Sequence, residues 1–411
     1  MASHDQPHDE AGEVAYDLND DDDHPSDDDE DLDEAGADEG EEGEGEDGAG
    51  GSGAAPMEDD EDDSIHVFEG HTDCVLSVAW SPAHADLVAC GGQDEVAFVW
   101  RAGQDAYSDS AGTMGTAELR GHTDSVVSLK FNAAGSLLAT GGMEGCVKVW
   151  DVKSGDLVST LDGPGGSVDW VTWHPKGDVV LAGSEDFTMW MWSAQTGTCM
   201  QVFSGHSGAV TAGMFTPDGK HVVSVGGEDD CSLRAWNPKT GDCTTTVSGH
   251  GFHETGIVAL DVHSDCLTVI TGADDGTLKI SNIGNGRVVG ALIAEDQDES
   301  SVESVGFCKQ LPLAASAGID GNVRVWDMAS LSQRGVCKHP DVVTRMVWHP
   351  TQPLVFTGCV DGVVRCWDIR TAAPVRVWRG HTAAIQDLAV SPDGGMVLTG
   401  SDDNTARVFV L

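Results

Sequence analysis

Basic residues are scarce in this 411-residue chain: 21 Lys and Arg stand against 70 Asp and Glu, a formal net charge of −49. The shortage is complete at the start, where residues 1–63 hold 29 acids and neither Lys nor Arg, leaving 41 acids for residues 64–411. Such a chain repels phosphate, which argues against general nucleic-acid binding and favours a basic partner. Long apolar runs are missing as well: no stretch approaches the roughly 18 residues that a membrane-spanning helix needs. The opening MASHDQPHDEAG lacks the basic and apolar regions of a secretory signal, so no export is expected. No N-x-Ser/Thr acceptor occurs, and the 11 cysteines include no C-x-x-C pair. Cys90, Cys359 and Cys366 fall inside apolar strand patterns, and buried, reduced thiols are the expectation. With no basic import signal, the cytoplasm is the default compartment and the nucleus is left open.

What is present divides into two regions. Residues 1–63 are rich in Asp, Glu and Gly, bury too little apolar surface to offset their ordering entropy, and are expected to form a disordered acidic tail. Residues 64–411 repeat. GHTDSVVSLKFNAAGSLLATGGMEGCVKVWD (121–151) and GHTAAIQDLAVSPDGGMVLTGSDDNTARVFV (380–410) share one order: Gly-His, apolar alternation, a turn, a second apolar run, an acidic turn, and alternation ending in an aromatic. That last position recurs at Trp100, Trp150, Trp192, Trp236, Ser281, Trp326, Trp367 and Phe409. An acid stands six residues before each: Asp94, Glu144, Asp186, Asp230, Asp275, Asp320, Asp361 and Asp403. Short Val/Leu/Thr-rich runs between Gly/Asp/Pro turns predict an all-β domain of eight small antiparallel units. A polar, Gly-rich insertion at 102–118 reads as an exposed loop. The fifth unit, with Ser281 in place of the aromatic, is expected to be looser than its neighbours.

The VWD and CWD endings at Trp150, Trp326 and Trp367, with this spacing, resemble the WD-repeat family. The resemblance implies an eight-bladed WD-repeat β-propeller over 64–411, closed when IHVF (65–68) lends the last blade its outer strand. Each well-kept repeat also carries a His, a hydroxyl and an acid, the ingredients of a hydrolytic triad. A triad occurs once and exposes its nucleophile; this set recurs around the ring, and the Trp adds an indole donor suited to a buried relay. The family likeness implies that structural role for His71, Asp94 and Trp100; for His122, Thr140, Glu144 and Trp150; for His206 and Trp236; and for His381, Thr399 and Asp403. GEGEDG (43–48) follows no strand and would repel phosphate, and His4, His8 and His24 lie in the tail. No catalytic, cofactor or metal site is expected.

Function on a propeller resides in what its faces display. The family likeness implies one rim position just before the turn acid and another after the first apolar residue of each opening strand. Acids gather there at Asp169, Glu185, Asp229, Asp274, Glu303 and Asp402, with Asp387 adjacent, and Glu303 is read as lying within a strand. In blade four the extra residue of GGEDDCS makes Asp229 and Asp230 interchangeable. Trp170, next to Asp169, packs either on a partner's Lys/Arg stems or into the core. The tail character, the degenerate fifth to seventh repeats and SVESVGFC (301–308) are similar to a branch of the family that includes a fungal ribosome-assembly chaperone. This implies a monomeric escort that shields the basic segment of a large-subunit ribosomal protein, without direct nucleic-acid contact or membrane insertion. Two alternatives remain: a general scaffold in signalling or cell migration, and a substrate receptor of a cullin ubiquitin ligase. For the latter, the W-D-x-R tetrapeptide ending at Arg370 would supply the adaptor contact.

Overall fold

The computed structural model describes residues 62–103, 116–294 and 300–411. The acidic tail over 1–61 and the 104–115 part of the insertion lie outside the described residues. Alternating apolar sequence makes strands here because each strand buries one side against a neighbouring blade. Eight antiparallel sheets of four strands result. The innermost strands are Val75–Trp80, Val126–Phe131, Val168–Trp173, Ala212–Phe215, Ile257–Val262, Ser304–Phe307, Val343–Trp348 and Ile385–Val390, in blades one to eight. Each touches the next, and the eighth touches the first, so the ring is closed. His66–Phe68 completes blade eight by pairing with Ala406–Val410, His66 opposite Val408 and Phe68 opposite Ala406.

The blades pack closely because glycine recurs on the second strand. A side chain on Gly91 would lie 2.6 Å from Val126 of the next blade, on Gly141 2.8 Å from Val168, on Gly358 2.6 Å from Ile385, and on Gly400 2.7 Å from Val75. Those strand-opening residues are fully buried in return, each a side chain whose removal from water contributes about 1.5–3 kcal/mol. Every one of the eight blade junctions also carries a hydrogen bond from an innermost strand. Ser77 and Ser128 accept the N–H groups of Leu129 and Val171 at 3.3 and 3.1 Å. The Trp170 indole donates to Val210 O at 2.7 Å, and the Thr211 hydroxyl donates to Ile257 O. Asp261 accepts Phe307 N–H at 2.8 Å, while Ser304 and Thr344 donate to Met346 O and Ile385 O at 3.3 and 2.6 Å. Asp387 closes the circle by accepting Val78 N–H at 2.9 Å.

Two boundaries differ from the sequence reading. Thr116–Arg120 is the outer strand of blade one, Thr116 lying opposite Trp100, so the inserted loop ends before residue 116 rather than at 118. Asp62 and Asp63, assigned to the tail by composition, are anchored. Asp62 pairs with Arg407 at 2.5 Å, while Asp63 donates its N–H to Arg379 O at 2.9 Å and accepts Arg379 N–H on its carboxylate at 2.8 Å.

Candidate functional site at the channel mouth

The innermost strands enclose a channel of about 470 Å³ whose lining includes Asp169, Glu303, Gln386 and Asp387. A local irregularity aims the mouth residues. Between Val168 and Trp170 the pairing register skips Asp169, and the same skip leaves out Leu76, Val127, Val258, Thr344 and Gln386. A β-bulge residue has no ladder partner, so its side chain is redirected: all of these line the channel except Thr344, which bonds across to blade eight. In blade six the strand begins at Ser304, and Glu303 immediately precedes it rather than lying within it.

The other acids stand in the turns between second and third strands. Their N–H groups bond to the loop just before the innermost strand: Glu185 to Ser167 O, Asp274 to Gly256 O and Asp402 to Ala384 O, at 3.2, 3.0 and 3.0 Å. These turns therefore share the face on which the channel opens. Gln386 donates to Asp402 at 2.8 Å, linking turn to mouth directly. In blade four, Gly227 occupies the bonding position, its N–H reaching Ala209 O at 2.9 Å. The inserted residues Glu228 and Asp229 bulge outward as exposed acids, and Asp230 is the relay member. Asp229 is therefore on the right face but two residues past the bonding position, and Glu228 is an added acid of the same insertion.

Charge differs between the turns at the two ends of the strands, although Arg379 stands in the mouth-side loop before blade eight. None of the eight turns joining second to third strands contains Lys or Arg, whereas Lys153, Lys176, Lys220, Lys239, Lys309 and Arg370 all lie in turns at the opposite ends of the strands. Arg side chains on the third strands are absorbed by the relay acids: Arg234 with Asp230 at 3.5 Å, Arg324 with Asp320 at 2.5 Å, Arg365 with Asp361 at 2.6 Å. Glu185, Asp229 and Asp274 form no ion pair among the described residues. Burial pushes the Asp169 carboxyl up to about 6; the Ser167 hydroxyl opposes that shift and nearby Glu185 adds to it. This is a site short of positive charge.

Asp387 needs correction, and Trp170 takes the second of its two readings, packed inside the ring. Asp387 is only 7% exposed and holds Ser77 Oγ, Val78 N–H and Arg345, so it ties blades together rather than standing open at the rim. Trp170 is wedged between blades three and four, where side chains on Gly183 or Gly213 would collide with its ring. Arg370 is exposed on the face away from the mouth, with its guanidinium held by Asp368 at 2.5 Å.

The relay forms as the likeness implied. In blade two the Trp150 indole donates to Thr140 at 2.9 Å, Thr140 meets His122 Nε2 at 2.7 Å, and His122 Nδ1 meets Glu144 at 2.5 Å. Trp236, Ser224, His206 and Asp230 repeat it with 2.8, 2.7 and 2.7 Å contacts. His381 joins Thr399 and Asp403 at 2.7 and 2.8 Å, with Phe409 in place of the donor. Blade one inserts Cys90 between His71 and Trp100, at 3.2 and 3.3 Å, while His71 meets Asp94 at 3.0 Å. Sequence reading missed this thiol, as well as His253 with Thr271 and Thr277, and His339 with Thr357. The hydroxyls Thr140, Ser224 and Thr399 are fully buried, which suits tying strands together and not attack on a substrate. His122, Glu144 and Cys146 place ligand atoms within 4.8 Å of one another. The 2.5 Å His122–Glu144 contact is a hydrogen bond, too tight to seat an ion with ligands at about 2 Å each.

Comparison with known proteins gives a consistent picture. The WD domain, G-beta repeat family matches residues 62–101, 115–151, 155–193, 197–237, 241–281, 290–327, 332–368 and 372–409. The human angio-associated migratory cell protein is 34% identical over 362 residues, covering 85% of this chain and 80% of that protein. An uncharacterized WD repeat-containing protein of Schizosaccharomyces pombe is 32% identical over 356 residues, covering 85% and 86%. Among solved structures, Chaetomium thermophilum Sqt1 bound to the N-terminus of the ribosomal protein L10 aligns with a TM-score of 0.76 at 23% identity. That alignment covers 85% of this chain and 100% of the other, a likeness of fold.

Proposed function

This chain belongs to the WD-repeat family, alongside the angio-associated migratory cell proteins, and from that premise we propose that it is a non-catalytic escort for a ribosomal protein. Its open face takes a Lys/Arg-rich segment of the client, and so keeps a surface made for RNA from binding elsewhere before assembly. The observation that carries this reading is the group of carboxylates at the mouth, where the turns between second and third strands contain no Lys or Arg. Like charges gathered at a concave opening repel one another and focus a negative potential. A cationic polypeptide relieves the repulsion and is steered toward the site. Asp169, Glu185, Asp274, Glu303 and Asp402 are the expected contacts, with Glu228 and Asp229 extending the surface at blade four. Chaetomium Sqt1, which shares this fold and was solved bound to the N-terminus of the ribosomal protein L10, makes an L10-type protein the first client to test.

Affinity capture from cytosol with the full chain, beside an Asp169→Lys/Glu303→Lys double reversal, tests the proposal. One ribosomal protein is expected to dominate the captured material, and to be lost in the double reversal. A partner set free of ribosomal proteins, or unchanged by the reversal, would contradict it. Cullin-ligase subunits that disappear only with Arg370→Ala would point to the adaptor reading instead.

A further inference from the structure

Below its acidic mouth the channel changes sign. Lys130 and Arg345 both line it, on the innermost strands of blades two and seven. Arg345 is the first residue past its bulge, opposite Gly358; Lys130 lies opposite Ala139, two residues beyond Ser128, which holds the matching position in blade two. At about 3.3 Å per residue, Lys130 sits roughly 7 Å deeper than the tier of Arg345 and Asp387.

The obvious counter-ion is already spent. One Asp387 oxygen accepts Ser77 Oγ at 3.2 Å and Val78 N–H at 2.9 Å; the other accepts Leu388 N–H at 2.9 Å and Arg345 Nε at 3.1 Å. A carboxylate has about four lone-pair positions, so Asp387 has none left for Lys130. Among the described residues Lys130 is in no ion pair, and Arg345 keeps both terminal nitrogens for another acceptor. Burial lowers the Lys130 pKa from its ordinary value, with Asp387 opposing and Arg345 reinforcing the shift. A half-buried ammonium without a partner gains from an anion placed beside it.

We infer that Lys130 and Arg345 form a carboxylate-binding site at the waist of the channel. It takes an Asp or Glu side chain of the same polypeptide whose basic residues pair with the mouth, and so rests on the basic-segment reading above. The pair converts an indiscriminate acidic face into a selective one. A purely polybasic chain leaves both cations unsatisfied, whereas a basic segment bearing one suitably spaced acid satisfies both tiers.

The test is fluorescence anisotropy of the full chain with labelled short Arg/Gly peptides, in which one Gly is replaced by Glu at successive positions, and by Gln in matched controls. At one position the Glu peptide is expected to bind wild type about fivefold tighter than its Gln control, despite its lower net charge. That preference should vanish in Lys130→Met, whose affinity for the Gln control is unchanged or higher. Equal or weaker binding of every Glu peptide to wild type overturns the waist site alone, and needs no variant. So does a Glu preference that survives Lys130→Met. Failure of all peptides to bind overturns the basic-segment reading, and the waist site with it.

Discussion

The relay histidines and the mouth aspartate respond to pH in different ways. Burial depresses His253 and His339 to about 4, from 6.5. Between those values the folded state binds fewer protons than the unfolded chain, so stability falls as pH drops from 6.5 to 4, by about 2–3 kcal/mol for each ring. Asp230 and Asp403 follow: burial opposes the shift, but hydrogen bonds from His206 and His381 hold both well below the usual carboxylate range, so their contribution is lost as pH falls below 3.8. Thermal midpoints measured from pH 7 to 3 should decline in that order, and His253→Gln should flatten the upper part of the decline. Asp169 acts on binding instead. Raised to about 6, it is half neutral near that pH and cannot then pair with a cation, so client affinity should weaken as pH drops through 6. Asp169→Asn should remove that step, and an unaltered pH profile in the variant would exclude Asp169 from the contact. At this scale the sequence was informative wherever a residue's chemistry is unambiguous: His122, Thr140, Glu144 and Trp150 stood at recognisable spacings. It was misleading where chemistry is weak or displaced. A thiol at Cys90 does a hydroxyl's work, and the histidine of blade five is His253, three residues past the Gly249–His250 pair.

Individual blades differ in how completely they satisfy themselves. Blade five has Ser281 where its neighbours have Trp, and that hydroxyl is buried with no hydrogen-bond partner. Ser281→Ala removes an unsatisfied group and should be neutral or stabilising by up to about 1 kcal/mol, whereas Ser224→Ala breaks a filled relay and should cost about 1–3 kcal/mol. Chemical denaturation of the two variants checks the contrast; equal losses would refute it. The junction glycines make a second prediction. Gly358→Ala puts a methyl group 2.6 Å from Ile385 across the junction of blades seven and eight and should cost about 1–3 kcal/mol through overpacking. Strand number and order were readable because the apolar period and turn punctuation recur. The bulges were not, because a bulge is defined by a partner strand's register and leaves no mark in its own composition. Thus Asp169 and Glu303 could be assigned to a rim from repeat alignment, but Asp387, one position further on, turned inward as a blade tie.

Across the whole molecule, charge is partitioned by topology. The turns between second and third strands carry acids, the opposite turns carry lysines, and third-strand arginines are consumed locally. Net charge suggested a basic partner from sequence alone; only the closed ring revealed that Lys130 and Arg345 share the channel with the acids. On the proposed reading, this mouth grips a cationic polypeptide through its carboxylates. Isothermal titration of the full chain with the N-terminal segment of an L10-type ribosomal protein, across a series of salt concentrations, tests it most directly. Saturable binding is expected that weakens steadily as salt rises and drops by at least about tenfold in Asp169→Lys/Glu303→Lys. Binding that ignores both salt and the double reversal, or no binding at low salt, would contradict it.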